Sequence, residues 1–427
     1  MSVTRGCIPV YIALLTFTTT VSWTSFAMAQ QRVPLTIAEA EDLARVGEPG
    51  QLALLAQAEV MQERAIVAGE LPDPVLRVGM ANYPIESGGF STEGMTQAQL
   101  GLRQTFPAGD TRAFSAAKFG SLATQMGENA ELRSRDVLTA VRNAWLDLYY
   151  WEQAHQRLVE SRPFFADLAT ITRSLYAVGR KSQQDVLRAD LELSRLDDRL
   201  IEIERRRSAA RAALGEWIGP DAARPVADKL PGWSQVPLLE SLQGTLPEHP
   251  LLRAADAGID AREAGVSLAE QRSKPTWALD VGYSYREGSL PSGQPRSDFV
   301  SMAVTVGLPF LSKKSVDSTL SAALHERSAA KFSREKMLRS LSSRLAAQYA
   351  RWEDLNRRVA LYDSHILDQA RENAEASMLA YQSDKGDFAD VMRAYVDDLN
   401  TRIDHVRLQV ERARSYAALA NLGGLPR

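Results

Sequence analysis

Trp277-Ala278-Leu279-Asp280-Val281-Gly282-Tyr283-Ser284-Tyr285-Arg286 alternates without a break, with large apolar side chains at the odd positions and small or polar ones at the even positions. Phe299–Leu308 repeats the pattern, setting Val300, Met302, Val304, Val306 and Leu308 against Ser301, Ala303, Thr305 and Gly307. A period of two marks a β-strand with two unlike faces. Two weaker copies lie upstream: Leu76, Val78 and Met80 against Arg77 and Gly79, and Leu100, Leu102 and Phe106 against Gly101, Arg103 and Thr105. Strands are expected over about 74–83, 98–107, 277–286 and 299–308. Each is about the length of a tilted outer-membrane strand that points apolar side chains at lipid and small or polar ones at a lumen. A soluble sandwich face alternates in the same way. Against it stand the almost purely small or polar character of the second face and the presence of only four such strands in 427 residues. Four strands cannot close a barrel, whose smallest common form has about eight, so closure requires several chains.

Working outward, the chain is written twice. Tyr176-Ala-Val-Gly179-Arg180-Lys181-Ser182-Gln-Gln184-Asp185-Val186-Leu-Arg188-Ala189 returns at an offset of 205 as Tyr381-Gln-Ser-Asp384-Lys385-Gly386-Asp387-Phe-Ala-Asp390-Val391-Met-Arg393-Ala394. Pro72, Leu76, Val78 and Gly79 return at 203 as Pro275, Leu279, Val281 and Gly282, and Pro107 returns at 202 as Pro309. Segments that recur in one order at nearly one spacing indicate a duplication. Each half reads as a short helix, two strands, a long helix, a sharp reversal and a shorter helix. The first repeat covers 30–218, with helices at about 39–70, 110–176 and 183–215. The second covers 248–427, with helices at about 315–381 and 387–421. A Pro/Gly-rich stretch, 219–247, joins them as a linker. Pro163 is the one proline within either long helical window. At 1.5 Å per residue each window spans roughly 100 Å. Apolar positions there are sparse and small: Ala116, Phe119, Leu122, Ala123 and Met126, then Val137, Val141, Ala144 and Leu148. A stripe that thin suits a coiled-coil wall wetted on its other face.

The N-terminus reads as a secretory signal over 1–29: Arg5, an apolar run Ile8–Val21, and Ala27-Met28-Ala29 before the expected cut. Beyond it no window reaches the ~18–20 apolar residues of a spanning helix. The chain is 45% apolar, 24% charged and of formal charge −3, with a pI near 6.1. No basic excess exists to hold a nucleic acid by its phosphates. Cys7 is the sole cysteine, so neither a disulfide framework nor a cysteine zinc site is available. The five histidines are scattered, and only Glu152–His155 has the Glu-x-x-His spacing of a helical carboxylate metal site, which needs two. Nucleophile-elbow, phosphate-loop and His-Glu-x-x-His motifs are missing, so no enzyme and no cofactor are expected.

The duplicated strand pair, the long helices and the Tyr-x-x-Gly…Asp-Val-x-x-Ala turn resemble the TolC family of outer-membrane efflux ducts over essentially the whole mature chain. The run Gln104-Thr105-Phe106-Pro107-Ala-Gly109-Asp110-Thr-Arg112 is similar to a signature of the heavy-metal branch, with Asp110 where lysine is usual. The resemblance implies a mainly α fold with a small β part. It implies a homotrimer whose protomers give four strands each to a 12-stranded barrel in the outer membrane of a Gram-negative cell, continued by a helical tunnel in the periplasm. It also implies a periplasmic adaptor and an inner-membrane pump of the resistance–nodulation–division class as partners, and heavy-metal cations as cargo. Drug or organic-solute efflux and polypeptide secretion are the alternatives within the family; a secreted coiled-coil scaffold without a pore is the alternative outside it.

The reversals at the tips are the expected functional residues. Gly179 can stop one helix in the left-handed conformation, and Ser182 with Asp185 can start the next as a capping box, which Asp387 and Asp390 repeat. Under threefold symmetry the same carboxylates become a ring that favours cations. By resemblance Asp390 falls on a gate aspartate of the family, while Arg393 and Gly386 stand where a gate acid and a gate arginine are usual. The expected wiring therefore runs through an Arg393–Asp pair, with Asp387 the acid nearest the tip. Tyr176 and Tyr381 are expected to pack between helices, and Arg180, Lys181 and Gln184 to meet the adaptor.

Overall fold

The computed structural model describes residues 33–423 apart from Ser234. The expected signal segment lies outside the described residues. Helices α1 (Ile37–Arg45) and α2 (Pro49–Gly69) lead into strands β1 (Val75–Ala81) and β2 (Gln97–Phe106), then α3 (Thr111–Ala177) and α4 (Gln183–Ile218). After the short α5 (Leu239–Gly244), the second half runs α6 (Pro250–Gln271), β3 (Thr276–Tyr285), β4 (Phe299–Gly307), α7 (Lys313–Leu361), α8 (Leu367–Gln382) and α9 (Phe388–Gly423).

The sequence overlooks two interruptions. The helix expected over 39–70 is two helices, because Gly47 takes φ +71° and Pro49 starts α2. The second long helix carries a π-helical turn at Tyr362–Ile366 between α7 and α8. Such a turn adds a residue to the helical circuit and leaves no proline or glycine to betray it. The stretch 219–247 is also more than a connection. It forms a parallel bridge between Val226 and Leu35, stacks Trp233 on Tyr416 at 5.0 Å and buries Leu242 and Leu246.

The four strands make one antiparallel sheet in the order β1-β2-β3-β4. Register places Val78, Leu100, Tyr283 and Val300 in one row, and Leu76, Leu102, Val281 and Met302 in the next. Large apolar side chains thus form one continuous face and stay exposed: Val78 is 75% exposed, Val300 74% and Met302 73%. Gln104 is the polar exception on that face, and its amide donates to the carbonyls of Pro72 and Thr105. β1 and β4 each leave an edge unpaired within the chain.

Among the described residues the helices bury four apolar clusters, two of them large. One surrounds Trp145, which stacks on Tyr149 at 5.5 Å and donates from its indole to the Leu35 carbonyl. Val137, Val141, Ala144 and Leu148 of the expected thin stripe belong to it. Beside it the Arg142–Glu41 pair is sealed, with both side chains only 7% exposed. The second core, built on Leu158, Phe165, Leu168, Tyr381, Phe388 and Val391, runs to the tips.

Candidate functional site: the paired helical reversals

The two reversals are local copies of one design, and the residues dictate it. At the first, the Arg180 amide donates to the Leu175 carbonyl and the Gly179 amide to the Tyr176 carbonyl, with Gly179 at φ +73°. That is the left-handed stop for which glycine carries no side-chain penalty. At the second, the Lys385 amide donates to the Ala380 carbonyl and the Asp384 amide to the Tyr381 carbonyl, with Asp384 at φ +61°. Aspartate is among the few residues that tolerate this conformation. α4 and α9 then begin at equivalent positions, 183 and 388.

Ser182 and Asp185 close a full capping box. The Ser182 hydroxyl accepts from the Asp185 amide at 3.2 Å, and the Asp185 carboxylate accepts from the Ser182 amide at 3.2 Å. Asp387 and Asp390 do not repeat it: their shared bond is backbone to backbone, the Asp390 amide donating to the Asp387 carbonyl. The Ser182 hydroxyl also donates to the Asp185 carboxylate at 2.9 Å, whereas two carboxylates brought that close would repel each other.

The acid that organises the site is Asp384, which the sequence reading passes over. Its carboxylate accepts from Lys181 Nζ at 2.9 Å and lies 3.9 Å from Arg180. Lys181 also sits 4.4 Å above the Tyr381 ring and keeps only 15% of its side chain exposed. This Lys181 hydrogen bond holds the Asp384 carboxyl below its ordinary pKa, and the carboxylate raises that of Lys181. The repeat offset was the available signal: it places Asp384 on the position of Gly179.

The two tyrosines part company. Tyr381 is 2% exposed and meets Phe388 edge to face, whereas Tyr176 is 46% exposed. Burial raises the pKa of the Tyr381 hydroxyl. Arg393 reaches Asp390 at 3.3 Å along its own helix, with both side chains well exposed. Asp387 has no ion-pair partner among the described residues. Gly179, Arg180, Lys181, Gln184, Asp185 and Asp387 line a shallow cleft between the two reversals. Arg180 and Gln184 face solvent there, while Lys181 is turned inward to Asp384.

The two motifs together hold five basic and four acidic side chains. Asp185 is used in a cap, Asp384 by Lys181 and Asp390 by Arg393. Among the described residues no group of three histidine, cysteine or acidic side chains is placed to hold a metal ion. The geometry is that of a pinned joint between two hairpins.

Comparison with known proteins agrees with this architecture. Residues 242–425 match the family model described as outer membrane efflux protein. The chain is 27% identical to protein CyaE of Bordetella pertussis, over 95% of this chain and 88% of that one. Among solved structures, CusC superposes with a TM-score of 0.78 at 14% identity, covering 92% of this chain and 93% of that one. The outer-membrane channel OprN superposes with a TM-score of 0.76 at 16% identity, covering 91% and 90%. The fold is the TolC-like outer-membrane channel fold.

Proposed function

We propose that the chain is one third of a passive, non-catalytic duct: a homotrimer that crosses the outer membrane as a shared β-barrel and continues into the periplasm as a helical tunnel. The observation that carries this is the sheet. Its apolar face is exposed from Leu76 to Val304 across four strands. A soluble monomer rarely exposes so large a contiguous apolar surface. Both outer strands end in unpaired edges, which water-soluble sheets normally protect. Adding β4 of one copy to β1 of the next removes every edge and gives the strand number of a wide, lipid-facing barrel. No described helix is long and apolar enough to cross a membrane, so the sheet is the membrane element in this reading.

The tips then form the periplasmic end, six reversals around a threefold axis. The Lys181–Asp384 contact joins the two reversals of one protomer and supports a closed resting arrangement. Arg180 and Gln184, solvent-facing beside that joint, are the side chains offered to a periplasmic adaptor, which would couple the duct to an inner-membrane pump. The run from Gln104 to Arg112 favours metal cations as cargo. Drugs, organic solutes or polypeptides are the alternative cargoes for the same wide aqueous tunnel.

Detergent-extracted protein from outer membranes, run unheated and heated on denaturing gels and reconstituted in planar bilayers, tests the duct. A heat-sensitive trimer with stepwise conductance is expected. A detergent-independent soluble monomer without conductance would overturn the reading in favour of a coiled-coil scaffold.

A further inference from the structure

The strands carry three charged side chains, Arg77, Arg103 and Asp280. Register puts all three on the face opposite the apolar one. Val75, Arg103, Asp280 and Ala303 share one row, and Arg77, Gly101, Gly282 and Ser301 share another. In a closed barrel this face lines the lumen. Arg103 lies 3.7 Å from Asp280 directly across the ladder, so that pair is neutral as a unit. Arg77 has no acid within ion-pair distance among the described residues. Two glycines and a serine complete its row, and it lines one hollow with Arg103 and Asp280.

The same face continues past the strand ends. Thr276 and Gly307, paired one row below Trp277, lie on it and open into a cavity of about 1030 Å³ at the junction of barrel and helices. Lys118, Arg262, Arg272 and Lys274 line that cavity. Glu326 lies 3.7 Å from Arg262, and Asp110 lies 3.8 Å from Lys274. Arg272 donates only to the Thr319 hydroxyl, at 3.5 Å, and Lys118 has no acid in reach among the described residues. Three cations per protomer, Arg77, Lys118 and Arg272, are therefore unmatched along one continuous wall.

We propose that this section of the duct is an electropositive filter that passes anions ahead of cations, with Arg77, Lys118 and Arg272 as its selectivity residues. The inference rests on the duct reading and departs from its cargo: the charge of this wall runs against the metal cations that the Gln104–Arg112 run suggests. Fixed charges of one sign along a low-dielectric wall concentrate the opposite ion within roughly a Debye length, about 10 Å at 0.1 M salt. The two tip motifs, with five basic and four acidic side chains, add no large charge of the opposite sign. Free divalent metal cations become the disfavoured cargo, and carboxylate- or phosphate-bearing solutes the favoured class.

The test is the reversal potential of reconstituted trimers in a potassium chloride gradient at low salt. Wild-type protein should give a chloride-to-potassium permeability ratio above unity. Arg77→Gln with Lys118→Gln and Arg272→Gln should lower it by roughly half or more. Arg77→Lys, which keeps the charge, should leave it in place. Intact trimers and stepwise conductance show that each variant has folded. Conducting wild-type channels that prefer potassium, or a ratio unmoved in the triple variant, would overturn the filter and leave the duct standing. Trimers that never conduct would overturn the duct, and the filter with it.

Discussion

Lys181 and Asp384 lie 203 residues apart in the chain and meet with Nζ 2.9 Å from Oδ1, so the first reversal is bonded to the second. Each residue holds the other in its charged form: the lysine hydrogen bond depresses the Asp384 pKa, and the carboxylate raises the Lys181 pKa. For Asp384 the contribution is present above the pKa it has when unfolded, and is lost as pH falls through its depressed folded value. For Lys181 it is present below the unfolded pKa, and is lost as pH rises through the raised folded one. The joint is thus expected to be intact between the ordinary carboxylate and lysine ranges. It should loosen only below the ordinary carboxylate range, as pH falls through the depressed Asp384 value. Asp384→Asn keeps a side chain that tolerates positive φ while removing the charge. It and Lys181→Met should raise the resting conductance at neutral pH to the level that wild-type reaches in acid. Equal conductance for wild-type and both variants from neutral to acid pH would show that the pair closes nothing.

How much of this was legible in the sequence depends on the range over which each signal acts. The strands were readable because the alternation from Trp277 to Tyr285 is imposed residue by residue, and the observed ladder keeps it. The reversals were readable because Gly179, Ser182 and Asp185 act through bonds to neighbours three to five residues away. Lys181–Asp384 was not readable, since it joins two repeats that only tertiary packing brings together. Nor was the Trp233–Tyr416 stack, which makes an apparent linker part of the core. In sequence Arg142 and Glu41 are two charges 101 residues apart, and only burial shows them to be a sealed pair.

The reversal at Gly179 allows a test by exchange between repeats. Gly179→Ala places a β-carbon in the left-handed region, at a cost of about 1–2 kcal/mol. Gly179→Asp copies what Asp384 already does and should cost less. Ser182→Ala removes the hydroxyl that receives the Asp185 amide, and should cost about 0.5–2 kcal/mol of local helix stability. Amide hydrogen exchange over 183–187 reads these changes directly. The expected order of protection is wild-type, then Gly179→Asp, then Gly179→Ala, with Ser182→Ala faster than wild-type in the first turn of α4. Unchanged exchange in Ser182→Ala would mean that the capping box does not hold the turn.

Far from the tip, Arg142 donates to Glu41 at 2.7 Å with both side chains nearly sealed, and its guanidinium lies 5.1 Å over the Trp233 ring. Removing one partner leaves a buried charge uncompensated, which costs about 3–5 kcal/mol. Glu41→Ala should therefore lower the urea midpoint of the detergent-solubilised protein strongly. Glu41→Leu with Arg142→Met should recover much of the loss, because the penalty comes from the orphaned charge and not from the missing attraction. A double variant as unstable as the single one would show that the pair contributes directional bonds that hydrophobic packing cannot replace.

Val304 and Thr305 are neighbours on β4 and face opposite ways, Val304 pairing with Leu279 on the apolar side and Thr305 with Ala278 on the other. If the apolar side meets lipid, arginine at 304 must be carried into hydrocarbon, at about 2–4 kcal/mol for a position near the bilayer midplane. With three copies per barrel the penalty is paid threefold, so Val304→Arg should sharply reduce heat-modifiable trimer in the outer membrane. Thr305→Arg enters the aqueous side beside Asp280, which already lies 3.4 Å from the Thr305 hydroxyl and can pair with the new cation. It should assemble near wild-type levels. A soluble sheet face would make the two substitutions nearly equivalent, since both positions are exposed in the single chain. The contrast between adjacent residues therefore reports which side of the sheet touches lipid without relying on any relative.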